Sequence, residues 1–359
     1  MGRIPTVLGA VFLSLLGSCR DGAGPAAVQP QRERPPYRQA PQPLVSTEDA
    51  PVQAADAQSR PPVAAAAPTA AKVEGSYPPP QLAPPYTRSA QAGDGVWTPL
   101  ATATDRAANG TPVLHKTTLH PHPDSRFIAL TVVAIDLKHV TLGFVPGTDD
   151  LGEGKVPFAP GLVAVEHQPR LLAIFNGGFQ PQHGGWGMKL AETTVVPPRE
   201  VGCTIALFAD GAVAIRSWAN VAGRSQAMTA FRQTPPCLVE QGDVHAELLA
   251  GRDKAWGGRA PGVVTRRRSA LGLDRTGRTL FYAVSVEATP KLLAEGMRAV
   301  GAHDAAELDI NWNWTRFLLF GDNQRGELRV SSSFVPGTYG KSTYVERPSE
   351  RDFFYILRK

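Results

Sequence analysis

The residues best suited to chemistry lie in segment 306–314, whose sequence is AELDINWNW. Polar and apolar residues alternate there, and a β-strand sends successive side chains to opposite faces of its sheet. As a strand, the segment would place two carboxylates and two carboxamides on one face: Glu307, Asp309, Asn311 and Asn313. Such groups can accept protons, hold a water molecule or bind sugar hydroxyls. We expect this face to be the wall of a site; the alternative is a solvated face on an edge strand.

A second candidate segment is a buried strand that runs into a glycine turn, with the sequence LLAIFNGGF over residues 171–179. Asn176 would stand at the end of the strand, where functional groups often project. Gly177 and Gly178 would let backbone amides approach an anion or a sugar oxygen closely. A glycine-rich loop follows, and in it we expect His183 to contact the substrate and Trp186 to stack on a sugar.

The third candidate is Arg268, at the entry of a strand with the sequence RSALG. Arginine suits bidentate contacts with phosphate. Taken singly, these features are more often structural: a glycine turn, a surface arginine, a polar strand face. The chain has no GxSxG or HExxH motif, and GEGK at residues 152–155 is interpreted as a turn. Histidines 115, 120, 122 and 183 lack ligand spacing, so we expect no metal site and no cofactor; the alternative is a zinc site, if these histidines meet in space.

Together and in this order, the segments resemble the phosphodiester glycosidase family. The family pattern is a strand ending in Asn-Gly-Gly-Phe or Tyr, an Arg-x-Ala-x-Gly strand, a helix ending in Gly-Ala, and a strand carrying Asn-Leu-Asp-Gly-Gly-Gly. The matching elements here are residues 176–179, 268–272, 292–302 and 307–309. The resemblance covers about residues 125–322. It implies cleavage of the bond between the anomeric carbon of a sugar and a phosphodiester.

This sequence departs from the pattern after the aspartate, where Asp309-Ile310-Asn311-Trp312-Asn313 replaces Asp-Gly-Gly-Gly-Ser. Glu307 also stands where asparagine is usual. The substrate therefore differs, or catalysis is lost and a glycan-binding pocket remains.

For an enzyme, the resemblance and the residues together predict a division of roles. Glu307 and Asp309 would form an acid–base pair, with Cα atoms about 6–7 Å apart on one strand face, and their proximity would raise one pKa. The acid and the base are not assigned, and the stereochemistry stays open. Arg268 and the amides of Gly177 and Gly178 would hold the phosphate. The remaining contacts with substrate would come from Asn176, Asn311 and Asn313, while Trp312 and Trp314 would lie in the core with Leu308 and Ile310.

The elements that position these residues are mainly short strands with turns. Hairpins are predicted across Asp210-Gly211, across residues 275–277 and between residues 317–320 and 327–330. One helix is clear, with Thr289 as its cap, Pro290 in its first turn and Gly301 at its end. The fold class is therefore α+β, with mixed or antiparallel β-sheets and a few flanking helices in a single globular domain.

The N-terminal region predicts export. Residues 1–18 have the form of a signal peptide, and LGSC before residue 20 resembles a bacterial lipobox, which implies lipidation of Cys19. The alternative is an ordinary signal peptide with an incidental cysteine. Residues 19–95 are rich in proline and alanine and predict a disordered tether, which leaves 96–359 as the domain. Cys203 and Cys237 predict one disulfide in an oxidising compartment, or else two buried thiols.

The sequence thus predicts an exported hydrolase acting on glycosidic or sugar-1-phosphodiester bonds in cell-envelope or extracellular glycans. The alternative is a non-catalytic glycan-binding lipoprotein that uses the same cleft; a structural protein of the outer membrane is a third, weaker possibility. The expected partners are a glycan or sugar-phosphate substrate and a membrane, reached through the lipid anchor at the outer membrane or the periplasmic face of the envelope. The net charge of +5 is widely spread and residues 266–268 are the one basic cluster, so we expect no nucleic-acid partner.

Overall fold

The computed structural model describes residues 75–100, 110–150, 161–257, 266–335, 337 and 339–359. The expected signal peptide, Cys19, the tether up to residue 74 and the turn at 152–155 lie outside these residues. No helix in the described part of the chain is long and apolar enough to cross a membrane.

Eighteen strands and three α-helices form the described structure. Strands β1 to β9 are Thr98–Pro99, Leu114–Leu119, Leu130–Asp136, Val140–Val145, Leu171–Asn176, Met188–Leu190, Thr193–Val196, Cys203–Phe208 and Val213–Ser217. Strands β10 to β18 are Met228–Thr234, Val239–Glu240, Asp243–Val244, Arg266–Asp274, Thr279–Ala288, Ala302–Glu307, Phe317–Asp322, Leu328–Ser333 and Phe353–Arg358. The helices are α1 (Trp218–Val221), α2 (Ala246–Leu249) and α3 (Pro290–Ala299), with 3₁₀ turns at Gln168–Arg170, Ala222–Ala227 and Lys254–Trp256.

The strands form three sheets. Sheet I has eight strands in the order β1-β2-β3-β14-β13-β15-β11-β12. Sheet II has the order β7-β6-β10-β8-β9, and sheet III the order β17-β16-β5-β18-β4. The pairings between these strands are antiparallel. The predicted fold class is therefore confirmed.

The predicted hairpins form where glycine allows the chain to turn. Strands β8 and β9 pair across Gly211, whose φ is +82°, and β13 and β14 pair across Gly277, whose φ is +73°. A positive φ is strained for residues with a Cβ, so glycine at these positions favours the tight turn. The third predicted hairpin is β16–β17.

The central strands of sheet I are buried on both faces, because apolar side chains alternate between two cores. Val133 and Ile135 belong to the main core, which also takes side chains from sheets II and III. Val132 and Ala134 of the same strand face a second core under α3. Helix α3 begins as predicted: the Thr289 side chain accepts a hydrogen bond from the Leu292 amide at 3.1 Å.

Residues 75–95 contact the domain, although the sequence assigned them to the tether. The Tyr77 hydroxyl donates to the carbonyls of Val113 (2.7 Å) and Ala134 (3.0 Å). Arg278 donates to the Gly75 carbonyl, and Asp94 pairs with His120 at 2.9 Å. The expected boundary at residue 96 is therefore too late for this segment. The proline-rich composition of the segment did not indicate these contacts, because only a few aromatic and polar residues make them.

The predicted disulfide is confirmed between Cys203 and Cys237, which are 34 residues apart in sequence. It joins the start of β8 to the loop that follows β10. This loop also contributes Pro235 to the cleft described next.

Candidate functional site

The candidate site forms where the end of β15 in sheet I meets the end of β5 in sheet III. After Glu307, the chain leaves the strand, and the Leu308 amide donates to the Ser269 carbonyl at 2.8 Å. The next amide, of Asp309, donates to the Gly177 carbonyl at 2.9 Å. The aspartate and the glycine turn, far apart in sequence, are thus brought together.

The polar alternation of residues 306–314 does not form a strand, so the expected single polar face is wrong. Strand β15 ends at Glu307. Asp309 Oδ1 accepts a hydrogen bond from the Asn311 amide, and Asn311 Oδ1 accepts one from the Asn313 amide, both at 2.9 Å. Aspartate and asparagine readily bond to the backbone two residues ahead, which favours turns over strands. The same i, i+2 spacing that suggested a strand therefore produces consecutive turns.

A cleft of about 530 Å³ lies beside these turns. Its lining includes four residues that the sequence predicted as site residues: His183, Trp186, Asp309 and Asn311. Among the residues that the structure describes, two cations also line it, Lys254 and Arg266. Arg266 was noted only as part of a basic run and Lys254 was missed, because nothing local in the sequence indicates that their loops meet here.

Asp309 is the acidic group of this wall. Burial raises its pKa from the ordinary value to about 6, and the amides of Asn311 and Ile310 and the charge of Arg351 oppose that rise. The residue is 9 % exposed. A carboxyl with a pKa close to neutrality can exchange protons with a substrate or a water molecule.

Glu307 and Arg268 lie behind the cleft and bind each other. Arg268 Nη1 donates to Glu307 Oε1 at 2.6 Å and to the Trp256 carbonyl at 2.7 Å, and its Nε donates to the Ala288 carbonyl. Both side chains are buried, and burial raises the Glu307 pKa to about 7 while Arg268 lowers it. Neither residue is part of the cleft lining. The expectation that Arg268 holds a phosphate is therefore corrected, because its guanidinium is committed to Glu307 and two carbonyls.

The amides of Gly177 and Gly178 are also engaged within the protein. The Gly177 amide donates to the Asp352 carbonyl at 3.0 Å, and the Gly178 amide bonds to the Asp352 carboxylate. A Cβ at Gly177 would overlap that carboxylate, and one at Gly178 would lie 3.3 Å from Arg232 Cζ. The expected phosphate cradle is corrected as well: glycine is needed here so that Asp352 and Arg232 can approach.

Arg232 is a buried residue that sequence reasoning missed. It forms an ion pair with Asp352 and donates hydrogen bonds to the carbonyls of Phe179 and Trp186, two residues of the cleft wall. It thereby fixes the loops that carry them. The available signal was an arginine in the otherwise mostly buried strand β10.

Asn176 stabilises the turn and does not face the cleft. Its Oδ1 accepts from the Tyr282 hydroxyl (2.9 Å) and the Arg316 amide (3.2 Å), and its Nδ2 donates to Ser269 Oγ (3.0 Å). Asn313 is exposed and is not part of the cleft lining.

The two tryptophan predictions have different outcomes. Trp186 lines the cleft but is buried, with the Arg199 guanidinium 4.7 Å from its ring centroid. Trp312, expected in the core, is 57 % exposed. It leaves the core because residues 312–314 form a turn.

Within the described residues, no group of three or more His, Cys, Asp or Glu side chains could hold a metal ion. Three of the four histidines considered for zinc have other partners: His115 bonds to Tyr77, His120 to Asp94, and His122 Nδ1 accepts from the amides of Asp124 and Ser125. His183 lies apart from them in the cleft lining.

Comparison with known proteins finds a family match in the middle of the chain. Residues 170–309 match the model of the phosphodiester glycosidase family. No curated protein matches the chain in sequence. The zebrafish N-acetylglucosamine-1-phosphodiester alpha-N-acetylglucosaminidase catalytic domain, a solved structure, is 15% identical, with a TM-score of 0.45 over 72% of this chain and 87% of that one. A hypothetical protein from Synechocystis is 12% identical, with a TM-score of 0.40 over 70% of this chain and 63% of that one.

Proposed function

We propose that this chain, whose residues 170–309 match the phosphodiester glycosidase family model, is an exported hydrolase that cleaves sugar-1-phosphodiester bonds in cell-envelope or extracellular glycans. The observation that carries the proposal is Asp309, an acid with a pKa of about 6 on the wall of a cleft that also holds Lys254 and Arg266. An acid–base group beside two cations suits a substrate with an anionic phosphodiester next to the bond that breaks.

In this proposal Asp309 acts as a general base. Above its pKa the carboxylate accepts a proton from water as the water oxygen bonds to the anomeric carbon. The bond from that carbon to the phosphate oxygen breaks, and the phosphate leaves with the bonding electrons. A phosphate leaving group needs little protonation near neutral pH, because its second pKa is about 6. One acid–base group in the cleft is therefore sufficient.

Lys254 and Arg266 take over the phosphate contact that the sequence assigned to Arg268. Arg268 becomes a positioning residue, since its bond to the Trp256 carbonyl holds the turn Lys254–Trp256 that carries Lys254. Glu307 fixes Arg268 in turn. His183 and Asn311, on the same wall, would contact sugar hydroxyls.

The second candidate function is glycan binding without turnover. One observation favours it: two groups expected to hold the phosphate bond instead to other groups of the protein. These are the Arg268 guanidinium and the amides of the glycine turn. Export and lipid anchoring, in either case, rest on residues 1–19 of the sequence.

The test is to incubate the full chain with a panel of sugar-1-phosphodiesters and anionic envelope oligosaccharides. Release of free sugar and phosphomonoester would support hydrolysis, and calorimetry would measure binding in parallel. Binding without product would favour the second candidate. A panel that gives neither result would contradict both.

A further inference from the structure

Residues 180–185 form a loop that borders the candidate cleft, and the residues on either side of it are fixed by sheet II. The loop supplies His183 to the cleft lining. Arg232 of β10 donates hydrogen bonds to the carbonyls of Phe179 and Trp186, which flank the loop. The loop can therefore move only as a flap between two fixed ends.

This loop is folded on itself. The His183 amide donates to the Gln180 carbonyl, and the Gly185 amide donates to the Pro181 carbonyl, both at 2.8 Å. Gly184 and Gly185 have φ angles of +120° and +59°, which glycine adopts without the strain that a Cβ would add. The turn thus keeps its own bonds when it moves, and the two glycines allow the chain to rotate at its end.

Arg199 joins the loop to a neighbouring segment. Among the residues that the structure describes, one hydrogen bond connects the loop to another part of the chain: Arg199 Nη1 donates to the Gly184 carbonyl. The same guanidinium lies 4.7 Å from the centroid of the Trp186 ring. The backbone of Arg199 is fixed, because the buried Gln233 side chain accepts from its amide at 2.7 Å and donates to its carbonyl at 3.0 Å. Arg199 therefore attaches a movable loop to a fixed backbone.

The free energy that holds the loop in this position is small. Arg199 and residues 182–185 are exposed. One bond to a carbonyl and one cation–ring contact at an exposed site together change an equilibrium constant by roughly tenfold. An open and a closed position of the loop are therefore close enough in free energy for a ligand to select one of them.

We infer that residues 180–185 are a lid that closes on a bound ligand, and that Arg199 is a positioning residue that holds this lid closed. The inference rests on the proposed function, because that function places His183 of the lid beside the substrate. A ligand that contacts His183 favours the closed lid. Without Arg199, binding must also supply the free energy of closing the lid, so affinity falls while the closed complex is unchanged.

The test follows a nitroxide label on the lid by electron paramagnetic resonance. The full chain with Cys19→Ser and Gln182→Cys takes one label, because Cys203 and Cys237 are joined and residue 182 is exposed. In Arg199→Gln the mobile fraction of the label should rise severalfold. Arg199→Lys keeps the charge and a donor, so it should restore most of the wild-type spectrum.

Kinetics and a control variant accompany the label. For a diester that wild type hydrolyses, Arg199→Gln should raise KM severalfold and leave kcat unchanged. Arg224→Gln is the matched control, because Arg224 is also an exposed arginine, with its guanidinium 4.0 Å from the ring centroid of Phe208 instead of Trp186. It should change neither the label spectrum nor KM.

An equally immobile label in Arg199→Gln and in wild type would overturn the inference, whatever the activity. A mobile label with an unchanged KM would overturn the positioning role. A label that becomes mobile in Arg199→Gln, in a protein that hydrolyses no diester, would support the lid and contradict the catalytic proposal.

Discussion

Burial raises the pKa of Glu307, the last residue of β15, and of Asp309, two residues further on. The two carboxyls have different neighbours. Glu307 bonds to a buried arginine, so its position maintains the packing behind the cleft. Asp309 accepts backbone amides and faces the cavity, so its proton is accessible to a ligand. The two acids are two residues apart in sequence, and of the two only Asp309 lines the cleft.

The first prediction concerns Glu307 and pH. Burial raises the folded-state pKa of Glu307 from 4.5 to about 7, so the native state holds this proton more tightly than the unfolded chain does. The stability that Glu307 contributes is then complete below about pH 4.5 and is lost as the pH rises through about 7. Between about pH 5 and 8, wild type should lose roughly 2–3 kcal/mol more stability than Glu307→Gln.

Urea unfolding at both pH values measures this difference, and Glu287→Gln, at an exposed position, is the control. Parallel pH dependence in wild type and Glu307→Gln would show that Glu307 does not titrate in this range.

At this scale, the sequence predicted the types of residue better than their partners. Asp309, Asn311, His183 and Trp186 could be predicted because chemical character and local spacing mark them. Arg232 could not, because its partner Asp352 is 120 residues away. No local pattern records such a contact, and the same holds for Lys254.

Two connections between elements hold the candidate site together, the turn after β5 and the disulfide at the start of β8. The hairpins and α3 were predictable, because a glycine turn or a cap residue determines each locally. The end of β15 was not, because side-chain bonds to nearby amides compete with strand pairing there.

The second prediction tests the turn. Gly177→Ala should destabilise the protein by about 1–3 kcal/mol, since its methyl group would overlap the Asp352 carboxylate and force the ion pair with Arg232 to move. Chemical denaturation measures the loss. Gly223→Ala, where an added Cβ meets no atom within 4 Å, should have little effect. Equal stability of Gly177→Ala and wild type would mean that the turn tolerates a side chain.

The third prediction tests the disulfide. Replacing Cys203 and Cys237 together with serine should cost about 2–4 kcal/mol of stability. The loop that the bond restrains carries Pro235 of the cleft, so ligand affinity should also fall. Urea unfolding of the double variant against the oxidised wild type is the measurement. Free thiols in wild-type protein, found by mass spectrometry of non-reduced peptides, would contradict the predicted bond.

For the whole molecule, three sheets and a proline-rich N-terminal segment contribute to one domain. The ends of one strand of sheet I and one strand of sheet III lie beside Asp309. Arg232 of sheet II donates hydrogen bonds to the carbonyls of two cleft residues. The composition predicted a tether up to residue 95, because the segment contains few apolar residues. Composition cannot indicate that Tyr77 bonds to sheet I.

The fourth prediction concerns the start of the domain. A chain that begins at residue 75 should keep the Tm of the full chain, while one that begins at residue 96 should unfold several degrees lower. Each kcal/mol lost with the bonds of Tyr77, Asp94 and Gly75 lowers Tm by about 2–4 °C for a domain of this size. The measurement is the Tm of each truncated chain and of the full chain by thermal unfolding. Identical Tm values would show that residues 75–95 add nothing to stability.

The catalytic role of Asp309 is the central claim, and kcat of Asp309→Asn against a hydrolysed diester tests it most directly. The carboxamide keeps the volume and loses the basicity, so kcat should fall by about 10²–10⁴-fold with the fold intact. In wild type, the rate should rise as the pH increases through about 6, where the Asp309 carboxyl ionises. Asp322→Asn, at an exposed position at the end of β16, should match wild type. Full activity in Asp309→Asn would contradict the account.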